Sequence, residues 1–260
     1  MNRIFKVKDD GVHKTYSFMG VNIHRRIYKK EDYRISLRAS MLANSVAKTH
    51  FDSFHEFKNC NKGNAVALIA TGPSLSQYVP IKDVIYVGVN KAFLFERVEL
   101  DSLFIQDYNA RDYICRLLEN KYRCQKFFGI LPQRNLVIPE SLALKLGAKR
   151  YYTDEVCKPY QFTYDISTQM LGDFNSVVFP AMQFILWTNP DIVYLIGCDC
   201  SSGYYDNSKS VSSMSYLKSN WIKLKQFQET YYPDIKIVSI NPVGLRGIFY
   251  DEYQNGLHTV

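Results

Sequence analysis

Ala65-Val66-Ala67-Leu68-Ile69-Ala70-Thr71-Gly72-Pro73-Ser74-Leu75 is an unbroken apolar run that stops at a threonine, a glycine, a proline and a serine. Six apolar residues without alternation suit a strand buried on both faces, the kind that lines up in a parallel sheet. Gly72 permits close backbone approach, Pro73 can open a helical turn, and Ser74 offers a hydroxyl beside unpaired amides, so the turn reads as a phosphate cradle. It lacks the Gly-Lys-Ser/Thr of a P-loop and the repeated glycines of a dinucleotide fingerprint. A strand followed by Gly-Pro-Ser is equally an ordinary turn.

Outward from this stretch, further short apolar runs occur at 84–89, 103–106, 126–130, 192–196 and 235–240. Helix-length segments lie between several of them, at 109–121, 176–187 and 214–231. This alternation predicts an α/β, Rossmann-like, mostly parallel sheet flanked by helices over residues 63–260. Ligands of such sheets bind beyond the carboxyl ends of the strands. Those ends carry Asn90 and Lys91 after the second run, Gln106, Asp107 and Asn109 after the third, and Asp199 after the fifth. Side-chain amides at successive strand ends can read a base or a ribose, although Asn109 is equally a helix cap and Asp107 a turn former. Asp199 is followed by Ser201, Ser202, Gly203, Tyr204 and Tyr205, the composition of a lid over a substrate; it also fits the residue that caps such a loop.

Residues 1–62 differ in character. The stretch from Arg3 to Ile27 alternates polar and apolar residues around Asp10-Gly11 and Gly20, as short β-hairpins do. From Ile35 to Phe57, Ala39, Ala43, Ala47, Phe51 and Phe54 recur at helical spacing, which predicts an amphipathic helix. These 62 residues hold 13 Lys/Arg against 6 Asp/Glu, whereas residues 63–260 hold 19 of each, so the whole net charge of +7 resides in the first quarter. A basic appendage of this kind can meet an anionic membrane surface or an acidic acceptor. Nucleic acid is not expected as a partner, because no recognition motif accompanies the charge.

The chain has no apolar run near the roughly 18 residues a membrane span needs, and its first residues lack the pattern of a signal peptide, so a cytoplasmic location is expected. Six scattered cysteines fit buried thiols in that compartment. Cys198 and Cys200 have no histidine nearby to complete a metal site.

The ordered set Gly72-Pro73-Ser74-Leu75, Asn90, Leu103-Phe104-Ile105-Gln106, Asn175-Ser176 and Tyr194-Leu195-Ile196-Gly197-Cys198-Asp199 resembles the bacterial sialyltransferases of glycosyltransferase family 42. It is also similar to the related motility-accessory-factor and MptE-like group. The similarity covers residues 65 to 248, and the order and spacing of its motifs carry it. The resemblance implies a single Rossmann-like domain that takes a CMP-activated nonulosonic sugar without a metal or other cofactor. It implies donor-binding roles for Thr71, Gly72, Pro73, Ser74, Asn90, Gln106 and Ser176, with Thr71 and Gln106 standing where the family has asparagines. Tyr204 and Tyr205 fall in the lid whose tyrosines hydrogen-bond the donor phosphate.

The family also places a histidine as general base before the last strand, and Tyr216 stands where it is expected. No histidine occurs between Phe57 and Leu257. Asp107, Asp199 and Tyr216 are therefore the candidate bases. Residues His13 to Ile23 resemble the leader beside glycosyltransferase domains of bacterial surface-polysaccharide loci. The resemblance implies a nucleotide-sugar donor and a glycan or glycolipid acceptor in lipooligosaccharide or capsule synthesis; peripheral contact with the inner membrane, through the basic segment, and a homo-oligomer are further expectations. Two alternatives stand beside it, an MptE-like pterin pyrophosphokinase using magnesium on Asp107 and Asp199, and a non-catalytic nucleotide- or glycan-binding subunit.

Overall fold

The computed structural model describes residues 5–9, 13–18, 21–26, 30–106, 123–130, 140–154, 161–207 and 215–254. The predicted helix at 109–121 and the turns at Asp10-Gly11 and Gly20 lie outside them. The chain forms two compact units, Met1–Ser45 and Val46–Val260, with the division inside helix α1, Lys30–Phe54.

The first unit contains strands β1 (Phe5–Asp9), β2 (His13–Phe18) and β3 (Val21–Arg26) in an antiparallel sheet. In register, Tyr16 faces Ile23 and Ser17 faces Asn22, and the Ser17 hydroxyl donates to Asn22 Oδ1 at 2.6 Å. The hairpin pattern of the sequence is thus realised as a three-stranded meander, followed by the first turns of α1.

The second unit is built on nine strands. Six of them match the apolar runs: β4 (Ala65–Ile69), β5 (Val84–Val89), β6 (Ser102–Ile105), β7 (Gln125–Ile130), β10 (Ile192–Ile196) and β11 (Lys236–Ile240). Three were not legible as apolar runs: β8 (Ala148–Asp154), β9 (Leu171–Gly172) and β12 (Tyr250–Glu252). β8 reads Ala-Lys-Arg-Tyr-Tyr-Thr-Asp and buries Tyr151 and Thr153 alone, so it has the alternation of a half-covered strand. β12 is an exposed edge strand.

The sheet order is β12-β11-β10-β4-β5-β6-β7-β8-β9, and every ladder is parallel. From β4 the chain proceeds outward to β9, then returns to place β10 on the other side of β4. The order therefore reverses between β4 and β10, at the two runs that end in Thr71-Gly72 and Cys198-Asp199.

The strands are buried on both faces. Val66, Leu68, Val87, Phe104, Phe127, Val193 and Ile237 point into one core, whereas Ala67, Ile69, Leu103, Ile105, Phe128 and Val238 point into the other. The first core is covered by α3 (Val178–Thr188) and α4 (Leu217–Tyr231) and by the end of α1, with Phe104, Phe127 and Phe184 in mutual ring contact. Every residue of α3 is buried, which is why its sequence has no polar face. The second core is covered by α2 (Glu140–Lys145) and by two five-residue 3-10 turns, Pro73–Gln77 and Asn90–Leu94. Full helices are absent from both of those crossovers.

The buried stripe of α1 differs from the predicted one. Ala43 and half-exposed Phe51 face outward, while Val46, His50, Ser53 and Phe54 face the core. The reason is polar pairing. His50 Nδ1 donates to Ile166 O at 2.9 Å and Nε2 accepts the Tyr152 amide at 2.8 Å, which makes a neutral histidine an acceptable core residue. Phe51 stacks on His55 instead, at 4.3 Å between ring centroids.

Candidate functional site

Beyond the carboxyl ends of β4 and β10 the ladder continues for two more bonds, Ala70 N–H to Ile196 O at 2.8 Å and Gly72 N–H to Gly197 O at 2.9 Å. This keeps the two strand-end loops in direct contact. A Cβ at Gly72 would lie 2.6 Å from Gly197 O and 2.7 Å from the Asp199 carboxylate, so only glycine fits there. Gly197 itself has φ +67, and its Cβ would meet Ala70 O at 2.6 Å. The two glycines of the sequence motifs are thus the two sides of one seam.

Across that seam Asp199 binds Ser74. One carboxylate oxygen accepts the Ser74 amide at 2.7 Å and the other accepts the Ser74 hydroxyl in a short bond. Asp199 is 4% exposed, and its carbonyl accepts the Gly244 amide at 2.9 Å. Burial raises its carboxyl above the usual range, against the two Ser74 bonds, which favour the carboxylate. The anion seated at the Gly-Pro-Ser turn is therefore the protein's own carboxylate.

A cleft of about 140 Å³ opens on one side of this turn. Thr71, Gly72, Asn90, Ser176, Asp199 and Tyr204 all line it, so residues spread from position 71 to 204 converge at the point where strand order reverses. Asn90 sits at φ +44 at the end of β5, a left-handed position that asparagine tolerates, and its Oδ1 accepts the Gln106 amide at 3.1 Å. Ser176 reaches the cleft after two left-handed residues, Phe174 and Asn175, with the Asn175 amide bound to Asp173 Oδ2 at 3.1 Å. A left-handed phenylalanine is uncommon and marks a strained turn directly beside the cleft.

Other expected residues lie elsewhere. Pro73 and Ser74 line a separate cavity of about 590 Å³ with Asn241, Arg246 and Tyr253, so the turn is a partition between two cavities. The larger one has the size of a ligand pocket, yet the strand-end amides and hydroxyls converge on the smaller. Gln106 folds over Gly129, and its Nε2 is buried with no hydrogen-bond partner among the described residues. Tyr205 donates its amide to Thr71 O at 3.0 Å and packs its ring edgewise on Phe95 at 5.7 Å, away from the cleft that Tyr204 lines. Tyr216 stands half-exposed at the start of α4, next to Leu217, which does line the cleft. Asp107 lies outside the described residues.

The motifs assign no role to several residues in or beside the cleft. Trp221 forms a buried wall, and the helical spacing of Leu217, Trp221, Leu224 and Gln228 is the signal that finds it. Lys91 holds its ammonium 5.2 Å from the centroid of the Tyr204 ring. Cys198 and Cys200 flank Asp199 in the wall, and burial pushes both thiols up, Cys200 to about 11, so both are protonated at neutral pH. Cys60, by contrast, is exposed. Among the described residues no group of three or more His, Cys, Asp or Glu is placed to hold a metal ion, and no helix is long and apolar enough to cross a membrane.

No family model matches the chain, and no curated protein does. Two solved structures are similar. The MAf glycosyltransferase from Magnetospirillum magneticum AMB-1 aligns at a TM-score of 0.52 and 12% identity over 83% of this chain and 39% of that one. This chain thus spans about two fifths of that protein's length. The sialyltransferase CstII from Campylobacter jejuni, in complex with the substrate analogue CMP-3FNeuAc, aligns at 0.38 and 15% identity over 67% of this chain and 79% of that one. At 12% identity the likeness to the first is one of fold.

Proposed function

We propose that the chain is a glycosyltransferase of bacterial surface-glycan synthesis that takes a CMP-activated, sialic-acid-like donor in the cleft between β4 and β10. The observation that carries this reading is the convergence of Thr71, Gly72, Asn90, Ser176 and Tyr204, all named by the sequence resemblance, on one cleft at the reversal of strand order. The fold shared with a glycosyltransferase agrees with it. Asn90 and Ser176 hold the sugar or ribose, and Tyr204 hydrogen-bonds the phosphate as it departs. An acceptor hydroxyl, on a glycan or glycolipid, attacks the anomeric carbon in line, and its proton goes to Asp107 or Tyr216. Asp199 acts by holding the Gly-Pro-Ser turn. The transfer needs no metal or other cofactor in this reading.

Pyrophosphoryl transfer to a pterin would call on Asp199 for magnesium, and that carboxylate is already engaged by Ser74. The same engagement favours a second reading, a nucleotide-binding subunit without turnover, because it withdraws one of the three candidate bases. A thermal-shift panel tests both. CMP at a hundredfold excess over its Kd stabilises by about 2.7 kcal/mol and raises Tm by several degrees. UDP and GDP are expected to shift it less. No response to any nucleotide overturns the proposal, and CMP binding without transfer or hydrolysis of a CMP-sugar selects the second reading.

A further inference from the structure

We propose that Lys91 is the residue that binds the donor phosphate, a role that rests on the nucleotide reading of the cleft and that no sequence motif assigns. The Gly-Pro-Ser turn cannot serve as that phosphate's cradle through Ser74, whose amide and hydroxyl both donate to Asp199. A phosphate beside the buried Asp199 carboxylate needs a cation close by.

Lys91 meets that need. It follows Asn90, whose left-handed backbone turns the chain off the end of β5 into the 3-10 turn Asn90–Leu94. Ala92 and Phe93 of the same turn are buried, which anchors the lysine's backbone next to Asn90, a residue that lines the cleft. The side chain is half-buried, makes no ion pair with a described carboxylate, and rests on the ring of Tyr204, which lines the cleft. Tyr204 follows Gly203 at φ +94, and the next residue's amide is tied to Thr71 O at 3.0 Å. Lys91 thus joins the end of β5 to the tyrosine loop beside two residues that line the cleft, Asn90 and Tyr204.

An aromatic face is a weak partner for an ammonium, whereas a phosphate gives it charge-assisted hydrogen bonds. A nucleotide phosphate in the cleft draws Lys91 from the ring onto its oxygens and leaves the Tyr204 hydroxyl beside the same group. Lysine suits this task because it acts as a compact point charge on a flexible stem. The ligand class recognised is a nucleoside 5′-phosphate or its phosphodiester, in preference to the uncharged nucleoside.

Calorimetry with CMP and with cytidine, on the wild-type protein and on Lys91→Met and Lys91→Arg, tests the assignment. Lys91→Met is expected to weaken CMP about ten- to hundredfold while cytidine binding changes less than about twofold. Lys91→Arg recovers most of the loss, and rising salt weakens CMP less in Lys91→Met than in the wild type. Wild-type binding of CMP that survives Lys91→Met unchanged overturns the role of Lys91 alone, as does an equal loss of CMP and cytidine. A wild-type protein that binds neither overturns the nucleotide reading and this one with it. Matching circular dichroism spectra of the three proteins verify that position 91 is not a folding determinant.

Discussion

Both oxygens of the Asp199 carboxylate accept from Ser74, which ties together two loops separated by 125 positions. In sequence the same aspartate is a carboxylate at a strand end, compatible with a base, a metal ligand or a loop cap. The geometry distinguishes a positioning role from a chemical one, because positioning affects stability without substrate. Asp199→Ala leaves a buried amide and hydroxyl unpaired and is expected to cost about 1–3 kcal/mol in urea unfolding. Asp199→Asn is expected to recover part of it, since the Ser74 hydroxyl can rotate to accept from the new amide. A loss of transfer with unchanged unfolding would return Asp199 to the role of base.

At the scale of elements, α3 shows how a helix without a polar face is held in one rotation. Gln183, 1% exposed, donates Nε2 to Gly172 O and Phe179 O at 2.9 and 3.0 Å, and its Oε1 accepts the amides of Thr163 and Gly172 at 2.9 and 3.1 Å. It pins β9 and the residue-163 loop to the helix just below Ser176. Gln183→Leu keeps the volume and abandons the buried amides, so unfolding free energy is expected to fall by about 2–4 kcal/mol. Hydrogen exchange at Gly172 and Thr163 should rise more than exchange in β4. Uniform protection across the two strands would show that this side chain does not hold the edge of the sheet.

The elements also show which signals are local. β4, β5 and β10 are legible because an all-parallel sheet buries each strand on both faces and leaves continuous apolar runs. β8 hides because its first half is charged on both faces, with Lys149 paired to Glu56 and Arg150 to Glu140. Phe51 lies off the inward stripe of α1 because apolar character marks a buried position only until a polar residue finds partners inside, as His50 does.

For the molecule as a whole, His50 makes stability depend on pH. It joins α1 to β8 and to the loop carrying Ile166, and burial pushes its pKa down from 6.5 to about 4. The folded protein therefore holds it neutral where the unfolded chain takes a proton, and stability falls as pH drops from about 6.5 towards 4. The loss across that window is on the order of 3 kcal/mol. Urea titrations between pH 7.5 and 4.5 should show it, and His50→Gln should flatten the slope above pH 5, where carboxylates contribute little. An unchanged slope in the variant would assign the pH response to other groups.

The sequence by itself determined the α/β class, the order of the principal strands and the loops that follow them, because burial on both faces writes itself into contiguous residues. It also named six of the residues that line the cleft, Thr71, Gly72, Asn90, Ser176, Asp199 and Tyr204. The tertiary structure alone decided that Asp199 fills the Gly-Pro-Ser turn, that Tyr204 faces the cleft while Tyr205 does not, that Gln106 turns over Gly129, and that Lys91 meets Tyr204. Each of these depends on which side of a loop a side chain leaves. That direction is set by left-handed residues and by close glycine contacts between separate segments, Gly72 with Gly197 and Gly129 with Gln106, and such contacts leave no periodic trace in either segment.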